Sequence, residues 1–285
     1  MTVREGLVKG IKILKDAKIE APAVDAGVML CHVMDCDRTW LYAHSDEKLD
    51  DYSIEKYSIN LSKRCKGMPV QYITGKQEFM GLEFHVNQDV LIPRSDTEIL
   101  VEEVIEIGKK KAHTVKILEL GTGSGCIAVS TAYYLKNSFI IAADISGKAL
   151  EIARMNALKH SVSGRIEYMR SNLFEKIDMS GFDIIVSNPP YARRREIPEL
   201  QREVRDFEPE LALDGGEDGL DFYRSIIGKA PEYLKKKGIL VFEVGILQSK
   251  EVVRLMKGSF QEVVVKKDLA GIERVVMGTI KENRS

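Results

Sequence analysis

Ile117-Leu118-Glu119-Leu120-Gly121-Thr122-Gly123-Ser124-Gly125 reads as a short apolar strand that runs directly into a glycine-rich turn. A run of this kind, interrupted by one carboxylate, is the pattern of a strand buried on both faces. Glycine at alternate positions permits a tight turn and close approach of a ligand to the backbone. The helix predicted next, over 126–135, offers unpaired N–H groups at its start. The following strand ends in Asp144, about 20 residues beyond the loop, where a carboxylate accepts hydrogen bonds from ribose hydroxyls. Together these features predict a β-α-β unit that binds a nucleoside-containing cofactor. Cys126 stands where a dinucleotide-binding loop has glycine or alanine, a departure from that pattern.

The alternation extends on both sides of this unit. Strands are predicted at 115–120, 139–143, 165–170, 182–187 and 239–244, and helices at 126–135, 147–158, 220–235 and 248–256. That order implies an α/β domain with a mostly parallel sheet covered by helices on both faces. Two closing strands, 262–265 and 274–278, are close enough in sequence to form an antiparallel edge. Ser95 and Glu98 have capping-box spacing and start a helix that runs to about Ile107. Upstream the period is helical. Thr2 and Glu5 again have capping-box spacing, and Val3, Leu7, Ile11 and Leu14 share one helical face. Pro22 suits the first turn of a second helix, Trp40-Leu41 begin a short apolar segment, and Ile54, Tyr57, Leu61 and Cys65 mark another helix ending near Gly67. Between the two patterns, Phe79, Leu82, Phe84 and Val86 and then Val90-Leu91-Ile92 flank the polar triplet Asn87-Gln88-Asp89, which predicts a β-hairpin. The expected organisation is a helical domain over 1–70, a hairpin linker over 71–95 and an α/β domain over 96–285.

Composition bounds the function. The 285 residues carry 42 Lys and Arg against 43 Asp and Glu, a net charge of −1, so no global positive field draws the chain to nucleic acid. Cys31, Cys36, Cys65 and Cys126 show no C-x-x-C pairing and read as reduced thiols of a cytoplasmic protein, neither a metal site nor a disulfide framework. The charged amino terminus has no signal-type run, and no apolar stretch approaches membrane-spanning length. Lys109-Lys110-Lys111 and Lys235-Lys236-Lys237 are read as charges at helix C-termini. Arg193-Arg194-Arg195 with Arg202 and Arg205 form a local positive cluster, either a solvated face or a surface that steers an acidic partner.

A second decisive stretch is Ile184-Ile185-Val186-Ser187-Asn188-Pro189-Pro190-Tyr191. Its apolar half is another buried strand. Two prolines end sheet pairing, and Asn188 before them is held extended. The turn lies at the carboxyl end of a strand, the edge where open α/β sheets bind ligands. The Asn188 side-chain oxygen and the Pro189 carbonyl make two adjacent acceptors suited to a planar –NH2 group, with Pro190 beside them and Tyr191 to cover the flat face. A plain structural turn is the competing reading.

The loop 119–125, with Glu119 before it, is similar to the loop of S-adenosyl-L-methionine-dependent methyltransferases. Together with Asp144, Asn188–Tyr191 and the blocks 22–44, 69–98, 207–223 and 268–278, it makes the chain closely resemble the release-factor glutamine N5-methyltransferases, the PrmC/HemK family. Phe207-Glu208-Pro209-Glu210-Leu211-Ala212-Leu213, followed by Gly215-Gly216 and Gly219-Leu220, is similar to a block that follows the catalytic turn in this family. Two positions depart: Ala192 where isoleucine is usual and Leu173 where an aromatic is common. The resemblance implies a Rossmann-like class I methyltransferase domain and S-adenosyl-L-methionine as cofactor. Its substrate would be the glutamine of a Gly-Gly-Gln loop in peptide-chain release factors, which the helical domain helps to dock. The implied cofactor contacts are Glu119 toward the ammonium, the N–H groups of Gly121, Thr122, Gly123, Ser124 and Gly125 toward the carboxylate, and Asp144 on the ribose. Asn172 and Leu173 border the adenine, and Asn188 lies between cofactor and substrate. Asn188, Pro189 and Tyr191 are the implied catalytic residues, with no metal, membrane or nucleic-acid substrate. An adenine N6-methyltransferase needs a similar turn for an exocyclic amine, and a non-catalytic binding module is the third reading.

Overall fold

The computed structural model describes residues 1–281 of the chain; the last four residues of the expected 96–285 domain lie outside the described residues. Contacts divide the chain into two units, Met1–Lys76 with Leu200–Phe207, and Gln77–Glu199 with the chain from Glu208 onward. The expected linker region thus falls mostly with the α/β unit, and a short later segment belongs with the helices.

The first unit is helical: α1 (Val3–Asp16), α2 (Pro22–Met34), α3 (Arg38–Ala43), α4 (Asp51–Cys65) and the short α5 (Val70–Thr74). The Thr2 hydroxyl accepts from the Glu5 N–H (3.2 Å), and the Glu5 carboxylate accepts from the Thr2 N–H (2.8 Å), a complete capping box. Val3, Leu14, Met29, Leu30, Tyr57 and Leu61 form its core. Arg64 is buried in this unit. Its guanidinium donates to Asp25 at 2.6 Å and pairs with Glu203 of the 200–207 segment.

The second unit opens with a hairpin of β1 (Lys76–Phe79) and β2 (Leu82–His85). The turn is Met80-Gly81, not Asn87–Asp89, and 90–92 is not a strand. Met80 and Gly81 have φ of 52° and 68°, as a two-residue type I′ connection requires. Asn87 instead folds back on itself, its side chain accepting from the Asp89 N–H at 2.9 Å. The Ser95–Glu98 capping box also does not form. Ser95–Thr97 is a 3₁₀ turn before α6 (Glu98–Lys109), and the Glu98 carboxylate accepts instead from the Met80 N–H at 2.7 Å.

β3 (Val115–Leu120), α7 (Cys126–Tyr134), β4 (Ser138–Asp144), α8 (Gly147–Lys159), β5 (Ile166–Arg170) and β6 (Phe182–Ser187) follow. After α9 (Arg202–Phe207), in the helical unit, come α10 (Asp221–Tyr233), β7 (Leu234–Glu243), α11 (Ser249–Met256), β8 (Phe260–Lys267) and β9 (Glu273–Ile280). The sheet order is β5-β4-β3-β6-β7-β9-β8, parallel from β5 to β7 and antiparallel at β9 and β8. Alternate residues serve two cores: Ile117, Ile140, Ile184 and Val186 pack with α6 and α7 residues, while Leu118, Ile141, Ile185 and Leu240 pack with α10 and α11 residues. Burial on both faces is why these strands read as unbroken apolar runs.

The lysines 235–237 do not cap a helix. α10 ends at Tyr233, and these residues form the irregular start of β7, with Lys237 at φ 62°. The Lys235 ammonium pairs with the buried Asp183 carboxylate, which also accepts from the Lys116 N–H at 3.0 Å. Burial pushes the Asp183 pKa up, but these bonds and one from His113 outweigh it and hold the carboxyl below its ordinary value. The arginine cluster is likewise divided and paired: Arg193 with Glu196, Arg194 with Asp214 and Glu217, and Arg202 and Arg205 with Asp206 in the helical unit.

Candidate active site

Strand order reverses between β3 and β6, and a cleft of about 310 Å³ lies at their carboxyl ends. Four strand ends contribute to its wall. Leu120, Gly121 and Gly123 come from the end of β3 and its loop; Asp144, Ile145, Ser146 and Ala149 from the end of β4 and α8. Ser171, Asn172 and Leu173 follow β5, and Ser187, Asn188, Pro189 and Pro190 end β6. The Ser187 hydroxyl donates to the Leu120 carbonyl at 2.7 Å and so ties the two central strand ends together.

Gly121, Gly123 and Gly125 have φ of 76°, 54° and 79°, a region open chiefly to glycine. At Gly125 a side chain is also excluded by space, since a Cβ there would meet the Ala153 Cβ at 2.9 Å. The Asp144 carboxylate bridges the loop and the next helix, accepting from the Gly123 N–H and the Ser146 N–H, each at 2.9 Å. Burial raises its pKa, against the pull of these N–H bonds.

Glu119, Thr122, Ser124 and Gly125 do not line the cleft; they stand behind its wall. Glu119 is fully buried, and Thr122 donates to its Oε2 at 2.8 Å while Oε1 has no partner. Burial pushes its pKa up to about 8 despite the Thr122 bond. Behind the loop, one carboxyl oxygen of a buried acidic residue is therefore left without a hydrogen-bond partner. Asn172 lines the wall, with its side chain donating to Glu175 at 2.8 Å, and Leu173 has φ 48°.

At the other end of the cleft, Asn188 Nδ2 donates to the Thr97 hydroxyl at 3.3 Å. Tyr191 is not part of the wall. It packs against the core, and burial pushes its hydroxyl pKa up to about 12. Its carbonyl accepts from Gln248 Nε2 at 2.9 Å. The turn is clamped from outside by 213–216: Ala192 donates to the Leu213 carbonyl at 3.0 Å, and Gly215 donates to the Ala192 carbonyl at 2.8 Å. A Cβ at Gly215 would stand 2.8 Å from the Pro190 carbonyl oxygen, so only glycine lets the clamp close.

The sequence reading took Gln88–Leu91 as part of a hairpin and gave no site role to Phe222, though both line the cleft, nor to the buried Thr97 and Glu243. The polar triplet 87–89 signalled a turn without saying what the turn borders. Pro209, Leu211 and Ala212 also line the cleft, and buried Glu208 beside them pairs with Arg94 and accepts from the Ile92 N–H at 3.4 Å.

Comparison with known proteins places this geometry among relatives. Residues 5–75 match the PrmC N-terminal domain and residues 95–204 the methyltransferase small domain. A release factor glutamine methyltransferase of Clostridium acetobutylicum is 39% identical over 280 residues, covering 97% of this chain and 98% of that protein. One of Geobacter sulfurreducens is 39% identical over 280 residues, covering 98% and 97%. The solved catalytic domain of hMettl16, in complex with an RNA hairpin, superposes with a TM-score of 0.55 at 16% identity, covering 83% of this chain and 84% of that one; at that identity the likeness shows the fold alone.

Proposed function

Because the chain belongs to the release factor glutamine methyltransferase family, we propose that it transfers a methyl group from S-adenosyl-L-methionine to the side-chain amide nitrogen (N5) of the glutamine in the Gly-Gly-Gln motif of peptide-chain release factors. The observation that carries this is the shared cleft: the carboxylate of Asp144, the Gly121–Gly123 backbone and the Asn188-Pro189-Pro190 turn border one cavity. The cofactor supplies a methyl already activated by a positive sulfonium, so the protein's own work is positioning and charge stabilisation.

In this reading Asp144 accepts the ribose hydroxyls and Glu119 balances the ammonium. The N–H groups of Gly121, Thr122, Gly123 and Gly125, expected to meet the ligand carboxylate, are instead taken by the Ala143 carbonyl, Asp144 and the Thr122 carbonyl and hold the loop in shape. Asn172 and Leu173 border the adenine. Asn188 Oδ1 and the Pro189 carbonyl accept the two hydrogens of the substrate amide. Both acceptors gain strength as the nitrogen becomes positive, so they favour the transition state over the bound substrate. Pro190 stiffens the turn, and Tyr191 anchors it in the core. The helical unit docks the protein substrate.

The test offers full-length protein a release factor, the same factor with its Gly-Gly-Gln glutamine changed to glutamate, and duplex DNA. Methyl on that glutamine, located by mass spectrometry, and none on the glutamate form is the expected result. Transfer to DNA, or to another residue of the factor, overturns the reading.

A further inference from the structure

An asparagine side chain has nearly the same shape either way round, and hydrogen bonds decide whether its oxygen or its –NH2 faces a ligand. A substrate nitrogen that gives hydrogens needs the oxygen. Two buried side chains that do not line the cleft bear on this choice at Asn188. Thr97, just before α6, accepts from Asn188 Nδ2 at 3.3 Å. Glu243, at the carboxyl end of β7, follows Phe242, the β6–β7 partner of Ser187, and so lies at the position across from Asn188; the Thr97 hydroxyl and the Asn188 side chain both pull its carboxyl pKa down. A hydroxyl has one proton, so a Thr97 that donates to Glu243 is left to accept from Asn188. A carboxylate has none to give. Both neighbours therefore demand a donor from Asn188, and only its –NH2 is one.

We propose that Glu243 and Thr97 are positioning residues that hold the Asn188 amide with its oxygen free for the substrate, and so select a nitrogen that still carries hydrogens. This rests on the role given above to Asn188. Fold stability does not account for Glu243. The residue is 1% exposed and its Oε2 has no hydrogen-bond partner, a costly way to fill a core position. The cation near it, Arg274, donates to Asp268 at 3.2 Å and to Asp96 at 2.6 Å.

The arrangement is sensitive to protons. Burial pushes the Glu243 pKa up to about 7, with Thr97, Arg274 and Asn188 pulling down and Asp96 pushing up. Tyr191 on the turn, Tyr223 of α10 and Cys126 of α7 also feel its charge. A protonated Glu243 becomes a donor and no longer excludes the Asn188 oxygen. Turnover is thus expected to fall as pH drops through about 7, and this limb is expected to vanish in Glu243→Gln.

The test uses the full chain with release factor and S-adenosyl-L-methionine. Glu243→Gln and Thr97→Val should each lower kcat about 10-fold or more, with KM and cofactor Kd changed less than about 2-fold, because misorientation of a contact acts on the reacting geometry. Thr97→Ser, which keeps the hydroxyl, should recover most of the loss. Asn188→Asp sets one carboxylate against another and should be nearly inactive. Combined with Glu243→Gln, whose –NH2 can donate to the new carboxylate, it should regain about 10-fold over Asn188→Asp alone. A structural role for Glu243 gives no such regain. Parental kcat in folded Glu243→Gln and Thr97→Val, or losses that simply add in the double variant, overturns the proposal. Parental kcat in Asn188→Ala overturns instead the role of Asn188 itself.

Discussion

Replacing Asp144 by alanine separates the carboxylate's two tasks. In the structure one oxygen accepts from the Gly123 N–H and the other from the Ser146 N–H, each at 2.9 Å. A carboxylate has about four lone-pair sites, so two remain for a ribose diol. Hydrogen bonds to a charged group contribute about 1.5–3 kcal/mol each. Two at the low end give about 3 kcal/mol, which at about 1.4 kcal/mol per decade weakens cofactor binding about 10²-fold. The two N–H groups also lose their acceptor. They lie at the cleft, where water replaces part of the loss, so stability should fall by about 1 kcal/mol and Tm by only a few degrees. Calorimetric titration with S-adenosyl-L-methionine and with an analogue lacking both ribose hydroxyls reads the first effect. The parent should discriminate strongly between the two ligands, and Asp144→Ala should hardly discriminate. Unchanged cofactor affinity in Asp144→Ala, or undiminished discrimination, refutes the ribose contact.

Asn188→Ala should lower kcat on release factor by about 10²-fold or more while leaving cofactor Kd nearly unchanged, as steady-state kinetics and calorimetry would read. Glu119 and Glu243 have pKa values raised by burial to about 8 and about 7 from 4.5; the folded state then holds protons that the unfolded chain has released. Stability of the protein without cofactor should therefore fall as pH rises from about 4.5 toward 8, and denaturant titrations of Glu119→Gln should show a flatter profile. At pH 7 cofactor binding should release a proton that Glu119→Gln does not release, seen as a buffer-dependent binding enthalpy. Arg64→Ala strips the buried Asp25 of its partner and should destabilise the helical unit by about 3–5 kcal/mol, with little change in cofactor affinity; an unshifted melting profile contradicts that.

The sequence by itself determined the layered α/β architecture, because strands buried on both faces cannot hide their apolar runs, and loops of special φ cannot hide their glycines. Phe182–Ser187 and Val115–Leu120 were legible to within a residue for that reason. So was the placement of Asp144 and Asn188, since each ends a strand at the edge where the sheet opens. What it did not determine were features whose partners are distant in the chain. Glu98 has the spacing of a helix cap, yet its carboxylate is taken by Met80, 18 positions away. Lys235 follows a helix and reads as its cap, yet it neutralises Asp183 at the start of the neighbouring strand. Tyr191 reads as a lid on the substrate, yet its ring is drawn into the core and only its turn is left to the cleft. Glu243 is one carboxylate at the end of one strand until tertiary packing sets it against Thr97 and Asn188, from separate parts of the chain. Local periodicity records which face of an element is buried; the partner of a buried charge is chosen by the register of the sheet, which only the folded chain contains.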